Sequence, residues 1–556
     1  MSSARVYGLT TLLFIITLTV LFLNLGDKNF WASHMESRRA EIAKQMVVTG
    51  DYLVPKLNGE KIFTKPPLFY WMIAASYNVT GKINEWAGRL PSAFFGALTI
   101  LLLFLLGRAL YDPLTGIISA FTLLTAHLFT YYARLAEMDI LLTFFVTLAI
   151  CFATLILYGK WTGKIAPFLL WGAMALGFLV KGPYALIFPL VAFFTFLLLK
   201  RDGWLMHIKT VFNPWAILTF AVIVAPWFLY VIFYDDAWIV FNEEVIGRIS
   251  SHRGHSERGL FFYFESLSNF LPWALLLPFA IFFAMRDIGK NAMALSWLVG
   301  GFLVASLVTA KNHHYILPLY PAMALLVGQY IRAHIEGGLA GFYGFAGVTK
   351  WIGLLISLAA VTAITAFPLV FYFITYEISP VLIASFFLIP PMLYAFNQTW
   401  RFSVENRAGE LWSGVFALVI TLFIFAHAFA IPALNNMNSY KNFMLQSKKI
   451  IEPDAGLAMY AMENFQTTFY LDRTVTPLAD HSLSDERIKE LKLFLRGLNK
   501  DNYYVFTKKK YLSEVLKTTG GEVVLADDYF IAPGKSRELE RLVLVNGKKT
   551  PDGGIK

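Results

Sequence analysis

Cysteine and charge are what this chain is short of. One cysteine, Cys151, stands among 556 residues, which excludes an intrachain disulfide framework and a cysteine-built metal centre. It falls inside an apolar run, where a thiol packs as a small hydrophobe. Asp, Glu, Lys and Arg make up only 15% of the chain against 57% hydrophobic residues, and mean hydropathy is +0.57. Soluble domains carry about 25% charged residues, so an ordinary soluble fold is excluded. Internal repeats are also missing, which weighs against a transporter built from duplicated halves.

What the chain has in excess is apolar length. Runs of about 17–25 residues, the reach of a helix across a bilayer core, recur near 7–25, 89–110, 114–132, 138–159, 165–181, 183–200, 212–234, 270–285, 292–309, 314–334, 350–376, 380–397 and 411–432. Backbone groups in lipid need internal partners, so about thirteen transmembrane helices are expected. The first run lacks a small-residue cleavage site and is expected to be retained. Net charge is +10, but the basic residues are spread over short loops. That pattern suits membrane orientation and contact with anionic lipids rather than nucleic acid. With a cytoplasmic N-terminus, inner loops hold Arg108, Lys160, Lys164, Lys200, Arg201, Lys209, Arg286, Lys290, Arg332, Lys350, Arg401 and Arg407, while the short outer hairpins hold Arg134, Lys181 and Lys311. An odd number of spans then leaves the tail outside.

The expected organisation is mainly α: a multi-pass membrane domain over 1–434, with outer loops at 26–88 and 235–269, and a small outer α/β domain over 435–556. In that tail, β-branched and aromatic runs at Asn502 to Phe506, Glu522 to Leu525 and Leu542 to Val545 alternate with charged amphipathic segments. In the first loop, Glu36 to Val48 has helical spacing and suits a helix lying on a membrane surface. Lys65-Pro66-Pro67 then breaks the chain before Leu68 to Tyr77, which is too short to span.

Ionisable residues beside outer span ends form four clusters: Glu36, Arg38, Lys65, Glu85 and Arg89; Arg134, Glu137 and Asp139; Arg248, His252, Arg253, His255, Glu257 and Arg258; and Lys311, His313, His314 and Tyr315. All lie on one membrane face in the orientation above, so they can converge. Arg and Lys can clamp a phosphate, and carboxylates can take a proton or bind a divalent cation. Membrane-surface charges also serve as snorkelling anchors and structural ion pairs. Asp139 stands apart because it opens an apolar run, where an unpaired carboxylate is costly. His313 and His314 are adjacent, and neighbours on a helix point different ways, which does not suit two ligands of one ion.

The motifs Glu-Ser-Arg-Arg-Ala-Glu-Ile at 36–42, Thr-Gly-Asp-Tyr-Leu-Val-Pro with Leu-Asn-Gly at 49–59, Lys-Pro-Pro-Leu-Phe-Tyr-Trp at 65–71, Glu-Trp-Ala-Gly-Arg-Leu-Pro-Ser at 85–92, Arg-Leu-Ala-Glu-Met-Asp at 134–139 and His-His-Tyr-Ile-Leu-Pro-Leu-Tyr-Pro at 313–321 together resemble the bacterial ArnT-like glycosyltransferases. These belong to the GT-C superfamily with the protein O-mannosyltransferases. The resemblance implies a polytopic GT-C fold in the bacterial inner membrane with a periplasmic C-terminal domain. It also implies sugar transfer from a polyprenyl-phosphate donor to lipid A, another envelope glycan or a protein. Arg38, Lys65 and Tyr315 would hold the donor phosphate, and Glu36 and Asp139 would be the catalytic carboxylates. The loop with His252, His255 and Arg258 would close over the site, supported by Glu85, Arg89, Arg134, Glu137 and His314. No organic cofactor is implied, while Glu36 and Asp139 leave room for a divalent cation. The family opens its first loop with Asp-Glu where this chain reads Met35-Glu36, so either Glu36 substitutes or Asp139 acts alone. A transporter of the lipid-linked sugar is the rival outside enzymes.

Overall fold

The computed structural model describes residues 3–27, 34–161, 163–200, 203–234, 259, 261–308, 311–339, 344–375, 380–437, 440–462, 465–478, 484–498, 502–527 and 541–548. The loop carrying His252, His255 and Arg258 lies outside the described residues.

The chain opens with α1 (Ser3–Phe22), followed by α2 (His34–Thr49), a small hairpin of β1 (Lys56–Leu57) and β2 (Glu60–Lys61), and α3 (Leu68–Thr80). Then come α4 (Glu85–Leu110), α5 (Pro113–Leu124), α6 (His127–Ala133), α7 (Met138–Leu157), α8 (Ala166–Lys181), α9 (Tyr184–Lys200), α10 (Trp204–Val211) and α11 (Pro214–Tyr234). Starts are written locally. The Asn84 side chain accepts from the Ala87 N–H ahead of α4, and Asp112 accepts from Leu114 and Thr115 ahead of α5, with Pro113 at the first helical position. Buried hydroxyls on α7 answer to their own backbone: Thr143, Thr147 and Thr154 donate to the carbonyls four residues back.

Beyond α11 the helices are α12 (Phe262–Ser266), α13 (Leu277–Ala284), α14 (Ile288–Leu307), α15 (Tyr320–Ile335), α16 (Phe345–Thr375), α17 (Pro380–Val404), α18 (Ala408–Phe425) and α19 (Ile431–Met437). Among the described residues, seven helices are long and apolar enough to cross a membrane, or eight if the α5–α6 pair, bent by 70°, counts as one span. The expected run 270–285 is broken into 3-10 turns at Leu267–Phe270 and Trp273–Leu275 before the short α13. Pro272 and Pro278 each remove a backbone donor there. The run 314–334 likewise starts as a 3-10 segment, His313–Leu319, before α15.

The tail adds α20 (Tyr440–Ile450), β3 (Gly456–Met459), α21 (Phe465–Leu471), β4 (Thr476–Pro477), α22 (Ser484–Gly497), β5 (Asn502–Lys508), α23 (Leu512–Thr519), β6 (Glu522–Ala526) and β7 (Leu542–Lys548). Its five-stranded sheet runs β4-β3-β5-β7-β6. Strand periodicity divides this sheet between two cores. Ala458, Tyr503, Val505, Val543 and Val545 pack with Leu491, Leu495 and Val515 from α22 and α23. Leu457, Met459, Tyr504, Phe506, Leu542 and Leu544 belong to the same apolar core as α2 and the membrane helices. The tail therefore shares one of its faces with the helical body.

Glycine lets α4, α5 and α15 approach closely. A Cβ on Gly116 of α5 would lie 2.5 Å from the Phe104 carbonyl oxygen of α4, and one on Gly107 would lie 2.8 Å from Gly116 Cα. On the other flank of α5, a Cβ at Gly328 of α15 would meet Ser119 Oγ at 2.1 Å. Small residues let backbones touch where lipid supplies no hydrophobic drive. Gly116→Ala should force α4 and α5 apart and cost about 1–3 kcal/mol. Thermal unfolding in detergent should show this, with Gly8→Ala, in open space, as the neutral control; equal melting for both would contradict the close crossing.

Candidate functional site

Glu36 and Arg39 of α2 face a layer made by the heads of α4 and α7, to which the end of α8 and the 3-10 segment at 313–319 add Lys181 and His314. Glu36, in the first turn of α2, is wholly buried. Arg89 Nε donates to its Oε1 at 2.5 Å and Arg89 Nη2 to its Oε2 at 3.1 Å. The Ala136 N–H adds 2.9 Å to Oε1. Arg89 also donates to the Leu25 carbonyl at 2.9 Å. Both oxygens of Glu36 are thus engaged, and four chain segments meet at one buried pair.

The neighbouring charges are matched in the same way. Arg39 pairs with Glu137, whose carbonyl accepts from Ser92 Oγ at 3.3 Å. Burial pushes the Arg39 guanidinium below its ordinary range, and the nearby Asp139 charge works against that shift. Arg134 is buried and donates to the carbonyls of Val20 and Leu23 at 2.7 and 2.6 Å, closing the end of α1. Glu85, also buried, accepts from the Tyr470 hydroxyl at 2.5 Å and pairs with Lys441 at 2.8 Å.

Asp139 is different. Its Oδ1 faces Lys181 Nζ at 2.5 Å, while its buried Oδ2 has no hydrogen-bond partner among the described residues. Lys181 Nζ also stands 4.8 Å from the Tyr315 ring centre, and Tyr184 lies beside that ring at 6.1 Å. His314 Nδ1 and the Tyr132 hydroxyl are 2.9 Å apart. Asp139, Lys181, Tyr315 and His314 therefore form one constellation, joined to Glu36 through Ala136 and Glu137. Arg38 is half-buried, its guanidinium 5.6 Å from the Phe465 ring centre. Lys65, half-buried, stands in the turn ahead of α3, which packs on both α2 and α4.

Lys181 and Arg39 escaped the sequence reading. Lys181 had a signal, a lone cation ending an apolar run on the same side as Asp139; Tyr470 and Lys441, hundreds of residues from Glu85, had none. Among the described residues no group of three or more His, Cys, Asp or Glu is placed to hold a metal ion. Glu36 and Asp139 each already face a cationic side chain, Arg89 and Lys181, so they do not fit as a metal-ligand pair. An apolar cavity of about 620 Å³, lined by Phe194, Leu197, Leu198, Trp204 and Ile208, lies at the opposite end of α9 from Tyr184.

The chain is similar to several known proteins. Residues 64–230 match the family model described as dolichyl-phosphate-mannose-protein mannosyltransferase. An uncharacterized protein of Aquifex aeolicus (strain VF5) is 30% identical over 398 residues, covering 68% of this chain and 76% of that one. The undecaprenyl phosphate-alpha-4-amino-4-deoxy-L-arabinose arabinosyl transferase of Edwardsiella ictaluri is 30% identical over 366 residues, covering 63% of this chain and 64% of the relative, a little under two thirds of its length. In fold, the crystal structure of ArnT from Cupriavidus metallidurans bound to undecaprenyl phosphate superposes with a TM-score of 0.75 at 22% identity, over 97% of this chain and 98% of that one. The archaeal oligosaccharyltransferase AglB from Archaeoglobus fulgidus gives 0.52 at 13% identity, over 93% and 71%.

Removing one member of a buried ion pair strands the other charge, at a cost of about 3–5 kcal/mol, whereas removing both costs much less. Arg89→Met should therefore destabilise strongly, and adding Glu36→Gln should recover most of the loss. A double-mutant cycle on detergent unfolding midpoints checks this; additive losses would contradict a tight pair.

Proposed function

We propose that the chain is an ArnT-like membrane glycosyltransferase of the GT-C superfamily, transferring a sugar from a polyprenyl-phosphate donor to lipid A at the periplasmic face of the bacterial inner membrane. The placement rests on the inner-loop excess of Lys and Arg. It takes α8, α9, α13, α15 and α17 as crossing too, beside the seven long apolar helices and the bent α5–α6 pair, giving about thirteen spans and a periplasmic tail. The sugar follows the naming of the relatives, 4-amino-4-deoxy-L-arabinose.

The observation that carries the chemistry is the unpartnered Oδ2 of Asp139 beside Lys181 and Tyr315. We assign the base to Asp139 and leave Glu36 to hold the backbone, since both its oxygens are occupied. The acceptor hydroxyl oxygen attacks the anomeric carbon and the bond from that carbon to the phosphate oxygen breaks. The hydroxyl proton passes to Asp139 Oδ2, and polyprenyl phosphate leaves with the bonding electrons. Direct attack inverts the anomeric centre. Arg38, Lys65 and Tyr315 hold the phosphate, and one well-placed cation in a dry site contributes about 3–4 kcal/mol to the departing charge. Glu85, Arg89, Arg134, Glu137 and His314 support the site. The match to the mannosyltransferase family model favours one second reading, a protein hydroxyl as acceptor.

Release of polyprenyl phosphate from a labelled donor by purified protein, with and without lipid A, tests the assignment. Lipid A should accelerate release and gain the sugar's mass; acceleration by a Ser/Thr peptide alone would favour the second reading, and none by either would refute transfer. Lys65→Ala and Arg38→Ala should abolish transfer in folded protein. Asp139→Asn should lower kcat by about 100-fold or more, whereas Glu36→Gln should act mainly through stability. A slow Glu36→Gln with a fast Asp139→Asn would reverse the two roles.

A further inference from the structure

We infer that α21, supplied from the far end of the chain, is the back wall of the donor site: Phe465 fixes the Arg38 guanidinium, and Tyr470 with Lys441 fixes Glu85 at the head of the helix carrying Arg89. The inference rests on Arg38 as a donor-phosphate ligand, as proposed above.

All seven residues of Phe465–Leu471 are buried, packed between α2 and α20. A guanidinium meets a ring with its face and an anion with its N–H edge. The Phe465 ring, 5.6 Å from the guanidinium carbon, therefore limits how Arg38 can turn while leaving its donors for phosphate. Six residues further along α2, Lys44 is tied to the same short helix. It donates to the Phe469 carbonyl at 2.7 Å and pairs with Asp472 at 2.6 Å, and Asp472 also takes Lys448. Burial opposes ionisation of Asp472, but the hydrogen bonds from Lys44 and Lys448 prevail and hold its carboxyl below the usual carboxylate range. Glu85 is held by Tyr470 and Lys441, and Thr468 Oγ1 reaches Asn58 Oδ1 at 2.9 Å in the β1–β2 hairpin. The short helix thus grips α2, α4 and the hairpin at once. Phe465, Tyr470 and Lys441 touch no reacting atom in the proposed step; they are positioning residues, and their effect belongs in donor affinity rather than in chemistry. An arginine already ordered before binding spares the donor that cost.

The test uses the full chain in detergent, with polyprenyl phosphate binding and donor kinetics as readouts. Phe465→Leu keeps apolar volume and loses the ring; Phe465→Tyr keeps the ring; Tyr470→Phe removes one hydroxyl without changing the core. Phe465→Leu is expected to raise Kd and donor KM by about tenfold with kcat within about threefold, an amount set by one unordered long side chain. Phe465→Tyr should restore wild-type values, and Tyr470→Phe should raise KM by about threefold, with unfolding midpoints close to wild type. Wild-type affinity in Phe465→Leu and Tyr470→Phe, or a fall in kcat with KM unchanged, would overturn the positioning role. Failure of the wild-type protein to bind polyprenyl phosphate would instead overturn the donor reading, and this inference with it.

Discussion

The Glu36–Arg89 pair is the constraint on which the polar layer depends. A carboxylate and a guanidinium wholly out of water are tolerable only when every lone pair and N–H finds a partner. Here the partners are the Leu25 carbonyl at the end of α1 and the Ala136 N–H just before α7. Satisfying one buried charge pair therefore fixes where α1 ends, where α2 begins, how α4 enters and where Asp139 must sit. Arg134 extends the same logic to Val20 and Leu23, so the start of the first loop is held through backbone carbonyls rather than through side-chain packing alone.

From that frame the chemistry follows as a matter of what is left over. Glu36, Glu85 and Glu137 are spent on fixed partners, and one oxygen of Asp139 is spent on Lys181. The other oxygen is buried and unanswered, which costs free energy unless a ligand or a proton uses it. Lys181 also reaches the Tyr315 ring, so the same cation links the proposed base to the residues proposed to hold phosphate. Net pairing keeps this layer stable in a low-dielectric setting, and the residual oxygen is the one the proposed proton transfer uses.

Much of this was legible in the sequence, for identifiable reasons. The helix at 36–48, the break at Lys65-Pro66-Pro67 and the strands near 502–506 and 542–545 are short-range patterns, and the structure carries α2, α3, β5 and β7 there, although α2 is largely buried rather than laid on a surface. The convergence of residues 36, 89 and 139 was readable because loop charge assigns each span end to a side. Which carboxylate is closed and which is open was not readable, since it depends on Ala136 offering a backbone N–H to Glu36 rather than to Asp139. The Phe465 and Tyr470 contacts were invisible for another reason: they join chain ends roughly four hundred residues apart by packing, with no periodic signal. The broken run at 270–285 escaped because hydropathy sums over prolines that a backbone cannot ignore.

Charges from distant segments gathering at one end of the bundle to hold a lipid-borne phosphate is the claim everything else serves. A photoreactive polyprenyl phosphate analogue, crosslinked to the purified protein and mapped by peptide mass spectrometry, tests it most directly. Labels within residues 36–44, 64–68 and 313–316, competed away by unlabelled polyprenyl phosphate, are the predicted result. Competed labels confined to the apolar cavity around Phe194 and Trp204, at the other end of α9, would contradict it.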